Sequence, residues 1–226
     1  NEEEGIGTVL KKVFSFIDQG YEVIVVDDGS TDNTSAVASQ FPCRVVRHQV
    51  NRGKGEALKT GMAQARGANI ISIDADDSYP VEHIPAMSEA LLNGTDLVFA
   101  PRLLGKENIP TIHRWGIAMF SLLIRGIYHF KTRDPCTGLW GAKRAHLEGM
   151  HLQARRFAIE VEIVVKAGRM GLRMQELPIA YRPRVGRSKL SWIRAGTDIM
   201  AAILRYMFWH PPSNNGLGRN QHPETS

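Results

Sequence analysis

Two apolar segments of this chain each run directly into a pair of acids, and this pattern restricts the fold more than any other feature. The apolar segments are 23–26 and 70–73, and the acid pairs that follow them are Asp27 with Asp28 and Asp74 with Asp76. Continuous apolar strands belong to parallel sheets that helices cover on both faces, and ligands collect at the carboxyl ends of such strands. We therefore expect both acid pairs to open on one crevice.

The first half of the chain alternates between predicted strands and helices. Strands are predicted at 22–27, 43–48, 69–74 and 96–101, and helices at 5–19, 32–40, 54–66 and 81–93. This alternation is typical of a doubly wound α/β layer. Beyond residue 101 the pattern changes to predicted helices at 111–130, 158–170 and 189–208 and predicted strands at 138–143 and 173–180.

Asp74 and Asp76 are candidate metal ligands. Side chains at i and i+2 of an extended segment point to the same side, so both carboxylates can face one cation. A hard divalent ion such as Mg²⁺ or Mn²⁺ takes oxygen ligands and shares its shell with phosphates, which indicates a diphosphate substrate. A solvated acidic turn is the alternative, because Asp77, Ser78 and Pro80 follow at once.

Asp27 and Asp28 are candidates for nucleobase recognition. Asp32 is well placed to cap the next helix, whereas Asp27 and Asp28 come too early to do so. Their carboxylates suit hydrogen bonds from the N–H groups of a base.

Six segments carry a resemblance to known enzymes. Segments 26–30 (VDDGS), 51–57 (NRGKGEA) and 74–76 (DAD) resemble the nucleotide-sugar half of the family-two inverting glycosyltransferases with the GT-A fold. Segments 134–139 (DPCTGL), 176–179 (ELPI) and 181–190 (YRPRVGRSKL) are similar to the polyprenyl-phosphate hexosyltransferases, the group that includes the dolichyl-phosphate mannosyltransferases. The match covers about residues 1–205 in order.

The resemblance implies an α/β GT-A fold, Rossmann-like, with a mostly parallel sheet flanked by helices. Residues 1–3 are similar to the end of a family motif that normally follows a first apolar strand, so we expect that strand to be truncated and Glu2 to border the nucleotide pocket. We predict one catalytic domain over 1–210, with a nucleotide-sugar half (1–101), an acceptor half (102–210) and a disordered tail (211–226).

Charge is divided between the two halves. Residues 1–100 hold 8 Lys and Arg against 15 Asp and Glu, whereas residues 101–210 hold 19 against 7. An acidic half that holds a cation and a basic half that holds an anion suit a transferase with two phosphorylated substrates. Uneven solvation of helix faces would produce the same division. Nucleic acid is not the expected partner, because no nucleic-acid module is recognised.

A phosphate acceptor would need no general base. A phosphate monoester has its second pKa near about 6 and is largely dianionic at neutral pH. The protein must instead hold that anion in line with the anomeric carbon, and Arg side chains do this well. The candidates for this phosphate cradle are Arg102, Arg114, Arg184, Ser188 and Lys189. Solvated surface cations are the alternative for each, and 184–189 is predicted to be a mobile loop.

The remaining candidate roles follow from the motifs. The donor-binding candidates are Glu2, Asp27, Asp28, Lys54 and Asp74, and the catalytic candidates are Asp76, Asp74 and Arg184. The resemblance places Asp134 near the sugar or the metal site. Glu160 and Glu162 lie roughly 200° apart on a helix, so both cannot face one site.

A membrane surface is a predicted partner. The predicted helices 111–130 and 189–208 combine apolar faces with basic residues, as helices in a membrane interface do, with Trp115, Trp192 and Trp209 as anchors. Core packing is the alternative. No apolar run is long enough to span a bilayer, and two cysteines without ligand spacing fit a reducing compartment. We expect a cytoplasmic protein, peripheral at the cytoplasmic membrane face.

The predicted activity is metal-dependent, inverting transfer of a hexose from a nucleoside-diphosphate sugar to a polyprenyl phosphate. GDP-mannose and UDP-glucose both fit Asp27 and Asp28, with a slight preference for mannose from the resemblance. Two alternatives remain: a GT-A transferase for a soluble glycan or phosphorylated small molecule, and a degenerate module that only binds nucleotide or membrane.

Overall fold

The computed structural model describes residues 1–17, 20–185 and 191–211. The helices of these segments are α1 (Glu3–Phe16), α2 (Thr34–Ala38), α3 (Lys54–Gln64), α4 (Ile84–Leu92), α5 (Thr111–Tyr128), α6 (Arg144–Met150), α7 (Ile159–Arg169) and α8 (Trp192–Arg205). The strands are β1 (Ile24–Asp27), β2 (Arg44–Arg47), β3 (Asn69–Ser72), β4 (Leu97–Phe99), β5 (Arg102–Leu104), β6 (Trp140–Lys143), β7 (Met174–Glu176) and β8 (Ile179–Ala180).

The strands form three groups. β1 pairs with β2 in parallel, β5 pairs with β8 in parallel, and the largest group has the order β3-β6-β4-β7. Within it β4 and β7 are parallel, but β6 runs antiparallel to both β3 and β4. The predicted α/β class is confirmed, and β6 is the exception to the parallel arrangement.

Helix α1 covers the first strands because its apolar residues recur at helical spacing. Ile6, Val9, Leu10 and Val13 are buried, at i, i+3, i+4 and i+7 of one face. This face packs on the first strand segment, including Val23. Glu3 and Glu4 in the first turn complement the helix dipole.

Helix α7 is the central helix of the fold. Its residues from Ile159 to Ala167 are all buried. One side packs on the β4 and β6 strands, and the other packs on α5 and α8 through Val161 and Val165. A helix that is buried on all sides needs partners for every polar group it carries, and this helix carries Glu160, Glu162 and Lys166.

The structure differs from the sequence prediction in three places, for clear reasons. The predicted strand 173–180 is two strands, β7 and β8, which pair with different neighbours on either side of Pro178. Proline cannot donate to a strand ladder, so the pairing is interrupted there. The short strand β5 and the helix α6 were not predicted, because each contains too few residues for a clear periodicity.

Helices α5 and α8 expose apolar side chains as well as burying them. Phe120 and Ile124 of α5 pack with Ile199 and Ile203 of α8 in one cluster. Trp115 of α5 is 71% exposed. In the part of the chain that the structure describes, no helix has the length and apolar character needed to cross a bilayer.

Candidate active site

A single large cleft contains most of the predicted site residues. Its volume is about 2360 Å³, more than the roughly 300–1,000 Å³ of an ordinary small-molecule pocket. The predicted residues that line it are Glu2, Asp27, Asp28, Lys54, Asp74, Asp76, Arg102 and Arg184. Its walls also include Trp115 of α5 and Trp192 of α8. The cleft therefore joins the acidic strand ends to the apolar helices.

Asp76 lies at the centre of an ion cluster in this cleft. Its Oδ1 accepts hydrogen bonds from the backbone N–H and the hydroxyl of Ser78. Its Oδ2 lies 3.1 Å from Nη1 of Arg184, and Nη2 of the same guanidinium donates to Glu2. The acidic group and the basic group predicted from opposite halves of the chain thus meet directly.

The backbone of 182–185 positions Arg184. The N–H of Val185 donates to the carbonyl of Asp76 at 3.0 Å, and the N–H of Arg182 donates to the carbonyl of Ser78 at 3.0 Å. The Arg182 side chain forms an ion pair with Glu82. Ser188 and Lys189, the other predicted phosphate ligands of this stretch, lie outside the described residues, as does most of the predicted mobile loop.

Asp77 points away from the cluster. It adopts a left-handed backbone conformation, with φ of 59°. Its carboxylate contacts Nζ of Lys12 on α1 at 2.6 Å. Of the two adjacent acids, Asp76 is therefore the one that faces the cleft.

Lys54 bridges two carboxylates on the cleft floor. Its Nζ lies 2.8 Å from Oδ1 of Asp74 and 2.7 Å from Oε1 of Glu160. Burial alone would lower the pKa of Lys54, but the two carboxylates outweigh it and raise the pKa. Lys54 is therefore charged, and its ion pair with Asp74 fixes the position of that carboxylate.

Gly138 allows Asp74 to sit where it does. A Cβ at this position would lie 2.3 Å from Oδ2 of Asp74, closer than any real contact. The N–H of Gly138 donates to the hydroxyl of Tyr79 at 2.7 Å, which fixes the glycine beneath the carboxylate. The glycine of the 134–139 motif is thus explained by the close approach of Asp74.

Arg102 is tied to Asp134, the acid of the same motif. Its Nε and Nη2 lie 2.6 Å and 2.9 Å from the two oxygens of Asp134, and its guanidinium lies over the ring of Tyr181. Arg102 lines the cleft as predicted, and Nη1 is the nitrogen that these contacts leave for a ligand. Arg114 is exposed, and its Nη2 donates to Thr111 of its own helix at 3.0 Å. The structure does not bring Arg114 to the cleft lining within the described residues.

Asp27 and Asp28 both have protein partners. Asp27 accepts from the N–H of Ser30 at 2.8 Å. Burial would raise the pKa of Asp27, but hydrogen bonds from Ser30 and Ser35 lower it below its ordinary value. Asp28 accepts from the N–H groups of residues 52 and 53 and contacts His48 at 2.7 Å. Both acids line the cleft, and their recognition of a nucleobase stays a prediction.

Glu160 is a site residue that sequence reasoning did not select. The predicted separation of Glu160 and Glu162 is observed: Glu160 faces Lys54, whereas Glu162 accepts from the N–H groups of residues 153 and 154 and pairs with Lys166 at 2.6 Å. Burial raises the pKa of Glu160, although Lys54 opposes the shift. The available signal was a pair of acids, Glu160 and Glu162, in the first turn of a mostly apolar helix.

Replacing Glu160 by Gln is expected to change how stability depends on pH. A carboxyl whose pKa is raised in the folded state binds its proton more tightly there, so its contribution to stability is lost as pH rises above its ordinary value of 4.5. The free energy of unfolding of Glu160→Gln, relative to wild type, should therefore increase between pH 4.5 and neutrality. Urea unfolding at several pH values measures this, and a difference that falls with pH would contradict it.

A divalent cation fits the chemistry of Asp76. The carboxylate faces the cleft, and a cationic group, the Arg184 guanidinium, already lies 3.1 Å from its Oδ2. Asp74 has both oxygens close to Lys54, so it is the weaker candidate for direct coordination. Within residues 1–17, 20–185 and 191–211, no three His, Cys, Asp or Glu side chains converge as a metal site. The remaining ligands of an ion on Asp76 would then be phosphate oxygens and water.

Comparison with known proteins identifies the family. The profile of glycosyl transferase family 2 matches residues 1–150. The chain is 29% identical over 206 residues to a dolichyl-phosphate hexose transferase of Haloferax volcanii, covering 91% of this chain and 89% of that protein. It is 33% identical over 216 residues to a dolichol-phosphate mannosyltransferase of Pyrococcus furiosus, covering 88% of this chain and 60% of that protein.

Solved structures agree with this assignment. The fold matches a crystal structure of glucosyl-3-phosphoglycerate synthase from Mycobacterium tuberculosis in complex with Mn²⁺, UDP and glucosyl-3-phosphoglycerate. The TM-score is 0.72 at 25% identity, over 96% of this chain and 80% of that chain. The predicted GT-A fold is thus confirmed. Since the family profile covers more than half of its residues, this chain belongs to glycosyl transferase family 2 and is a glycosyltransferase.

Proposed function

We propose that this glycosyltransferase moves a hexose, with inversion, from a nucleoside-diphosphate sugar to a polyprenyl phosphate, and that it needs Mg²⁺ or Mn²⁺. The observation that carries the proposal is the continuity of the cleft, which runs from Asp76 and Lys54 to the apolar residues of α5 and α8. One end suits a charged donor and the other suits a lipid. The relatives named for dolichyl-phosphate hexose transfer support the same reading.

The donor diphosphate belongs near Asp76. Charge on the departing nucleoside diphosphate grows as the glycosidic bond breaks, and a divalent ion on Asp76 would supply the positive charge that stabilises it. Arg184, whose Nη1 lies 3.1 Å from Oδ2 of Asp76, places a guanidinium beside this position. Glu2, hydrogen-bonded to Arg184, borders the same space. Asp74, held by Lys54, is then the carboxylate available to a sugar or ribose hydroxyl.

The acceptor phosphate needs orientation and not deprotonation. A phosphate monoester is largely dianionic near neutral pH, so its oxygen attacks the anomeric carbon without a protein base. Arg102 is the supporting cation for it, since it lines the cleft and keeps Nη1 free of its contacts with Asp134. Pairing with the buried Asp134 holds the guanidinium plane in one orientation, which favours in-line attack.

The lipid chain and the membrane surface belong at α5 and α8. On α5 the exposed apolar residues fall on one face, at Ile112, Trp115, Met119 and Leu122. On α8 the exposed residues include Trp192 and Ile193. Basic residues flank this surface, as in helices that lie in a membrane interface. We propose that the protein is peripheral at a membrane through this surface.

Trp115→Ser is expected to weaken binding to lipid vesicles about tenfold. The Trp115 side chain of α5 is 71% exposed, and removing a large apolar side chain from water contributes about 1.5–3 kcal/mol. Sedimentation with anionic vesicles measures the partition. Phe16→Ser, an exposed aromatic residue of α1, is the matched control and should bind as wild type does. Equal binding by Trp115→Ser and wild type would contradict the membrane assignment.

Transfer assays test the proposed function directly. The protein is incubated with GDP-mannose or UDP-glucose and a polyprenyl phosphate, with Mn²⁺, with Mg²⁺ and with a chelator. We expect a glycosylated lipid phosphate only with metal. The same assay with 3-phosphoglycerate tests the acceptor of the structural neighbour, and transfer to it without transfer to the lipid would overturn the proposal.

A further inference from the structure

The guanidinium of Arg184 lies where a divalent cation would have to approach Asp76. It contacts Oδ2 of Asp76 at 3.1 Å and hydrogen-bonds Glu2, so it bridges two carboxylates that converge on one point of the cleft. The other oxygen of Asp76 is occupied by Ser78. Oδ2 is therefore the atom that both cations would share.

The two cations cannot both keep full contact with this oxygen. Mg²⁺ takes oxygen ligands at about 2.0–2.1 Å, so an ion on this oxygen would lie within a few ångströms of the guanidinium, which is 3.1 Å from the same atom. Like charges at such a separation repel strongly in a partly buried cleft. One cation must move as the other binds. The Arg184 guanidinium can move, because it ends a flexible side chain whose bonds rotate.

The carboxylates themselves indicate that the position requires a positive charge. Asp76 is 4% exposed. Glu2 is only partly buried, with a side chain that is 23% exposed, and it pairs with the same guanidinium. The buried Asp76 carboxylate needs a cationic partner, because an unpaired buried charge is costly.

We infer that Arg184 is the resident counter-ion of the metal position, and that binding of the divalent ion releases it from Asp76 and Glu2. The inference rests on the proposed function, in which the ion sits on Asp76. The released guanidinium then lies beside the donor diphosphate, so the same event that brings in the metal also delivers an anion-binding group. Before the metal binds, Arg184 occupies the metal position and competes for it. After the metal binds, Arg184 assists the reaction by binding the donor diphosphate.

The competition predicts opposite effects of one substitution on two measurements. Arg184→Gln removes the competing charge and should bind Mn²⁺ about tenfold more tightly in the absence of nucleotide, within the usual range of coupling between two binding events. The same variant should transfer hexose more slowly than wild type. Mn²⁺ titration followed by electron paramagnetic resonance measures the first quantity, without any sugar or lipid.

Matched variants separate this effect from a general change in charge. Arg182→Gln removes a cation from the same segment, but Arg182 pairs with Glu82 and not with Asp76, so its Mn²⁺ affinity should equal that of wild type. Arg184→Lys keeps the charge but loses the fork that reaches both carboxylates, so its Mn²⁺ affinity should lie between those of wild type and Arg184→Gln. Adding Asp76→Asn to Arg184→Gln should remove the tight binding, because the shared oxygen is lost.

Unchanged or weaker Mn²⁺ binding by Arg184→Gln would overturn the inference. Thermal unfolding checks that the variant is folded, and Arg184→Met replaces it if it is not. Because the titration contains Mn²⁺ alone, its result is independent of the acceptor. A protein that shows the exchange but does not glycosylate polyprenyl phosphate would refute the proposed acceptor and leave the exchange standing.

Discussion

Asp76→Asn is expected to lower the rate of hexose transfer about 10³-fold. The amide keeps the shape of the carboxylate but loses the negative charge that holds the divalent ion, and removing one preorganised electrostatic contact costs up to about 10³ in rate. The loss should appear in kcat at saturating donor, and Mn²⁺ binding without nucleotide should fall with it. Initial rates across metal concentrations, together with a Mn²⁺ titration, measure both.

Asp77→Asn is the matched control for this prediction. The two acids are adjacent, but Asp77 contacts Lys12 and has a φ of 59°, a conformation that Asn tolerates well. Its activity should lie within about threefold of wild type, because an exposed or partly exposed ion pair contributes little. Full activity of Asp76→Asn, or a large loss in Asp77→Asn, would show that the metal assignment within 76–77 is wrong.

Lys54→Met is expected to lower the free energy of unfolding by about 3 kcal/mol and to reduce transfer as well. Removing one partner of a buried ion pair leaves an uncompensated charge, which costs about 3–5 kcal/mol. In this case Asp74 and Glu160 would face each other without the ammonium that lies 2.8 Å and 2.7 Å from them. Urea unfolding at pH 7 measures the loss.

Two further variants make the Lys54 prediction specific. Adding Glu160→Gln to Lys54→Met should restore part of the stability, since only one carboxylate then needs a partner. Lys59→Met, on the same helix, removes an ammonium that pairs with Glu56 near solvent and should cost less than about 1 kcal/mol. A loss below 1 kcal/mol for Lys54→Met would mean that water, and not Lys54, screens the two acids.

The metal candidate and the phosphate candidates differed in how well the sequence located them. Asp76 follows the apolar strand β3, and the end of a strand in an α/β sheet is a local property that predicts where the side chain opens. Arg114 sits on a long helix whose rotation about its own axis depends on its neighbours. The structure turns that residue to solvent, where it contacts Thr111.

Glu160 and Arg102 show what local patterns leave out. The role of Glu160 depends on Lys54, more than one hundred residues earlier in the chain, and on the burial of α7 on all sides. Arg102 was predicted at the cleft, but its partner Asp134 was placed near the site only through the family resemblance. A bidentate ion pair between distant segments, such as Arg102 with Asp134, leaves no periodic pattern in the sequence.

By itself, the sequence determined the α/β class, the family, the strand ends that carry Asp27, Asp28, Asp74 and Asp76, and the division of charge between the two halves. These follow from local periodicity and from motif spacing, which do not depend on tertiary contacts. Tertiary structure alone decided that Arg184 meets Asp76, that Lys54 joins Asp74 to Glu160, and that Asp77 turns to Lys12. Such pairings form because a charge that is buried in the folded protein is costly unless it is paired. Which charges are buried depends on how the whole chain packs.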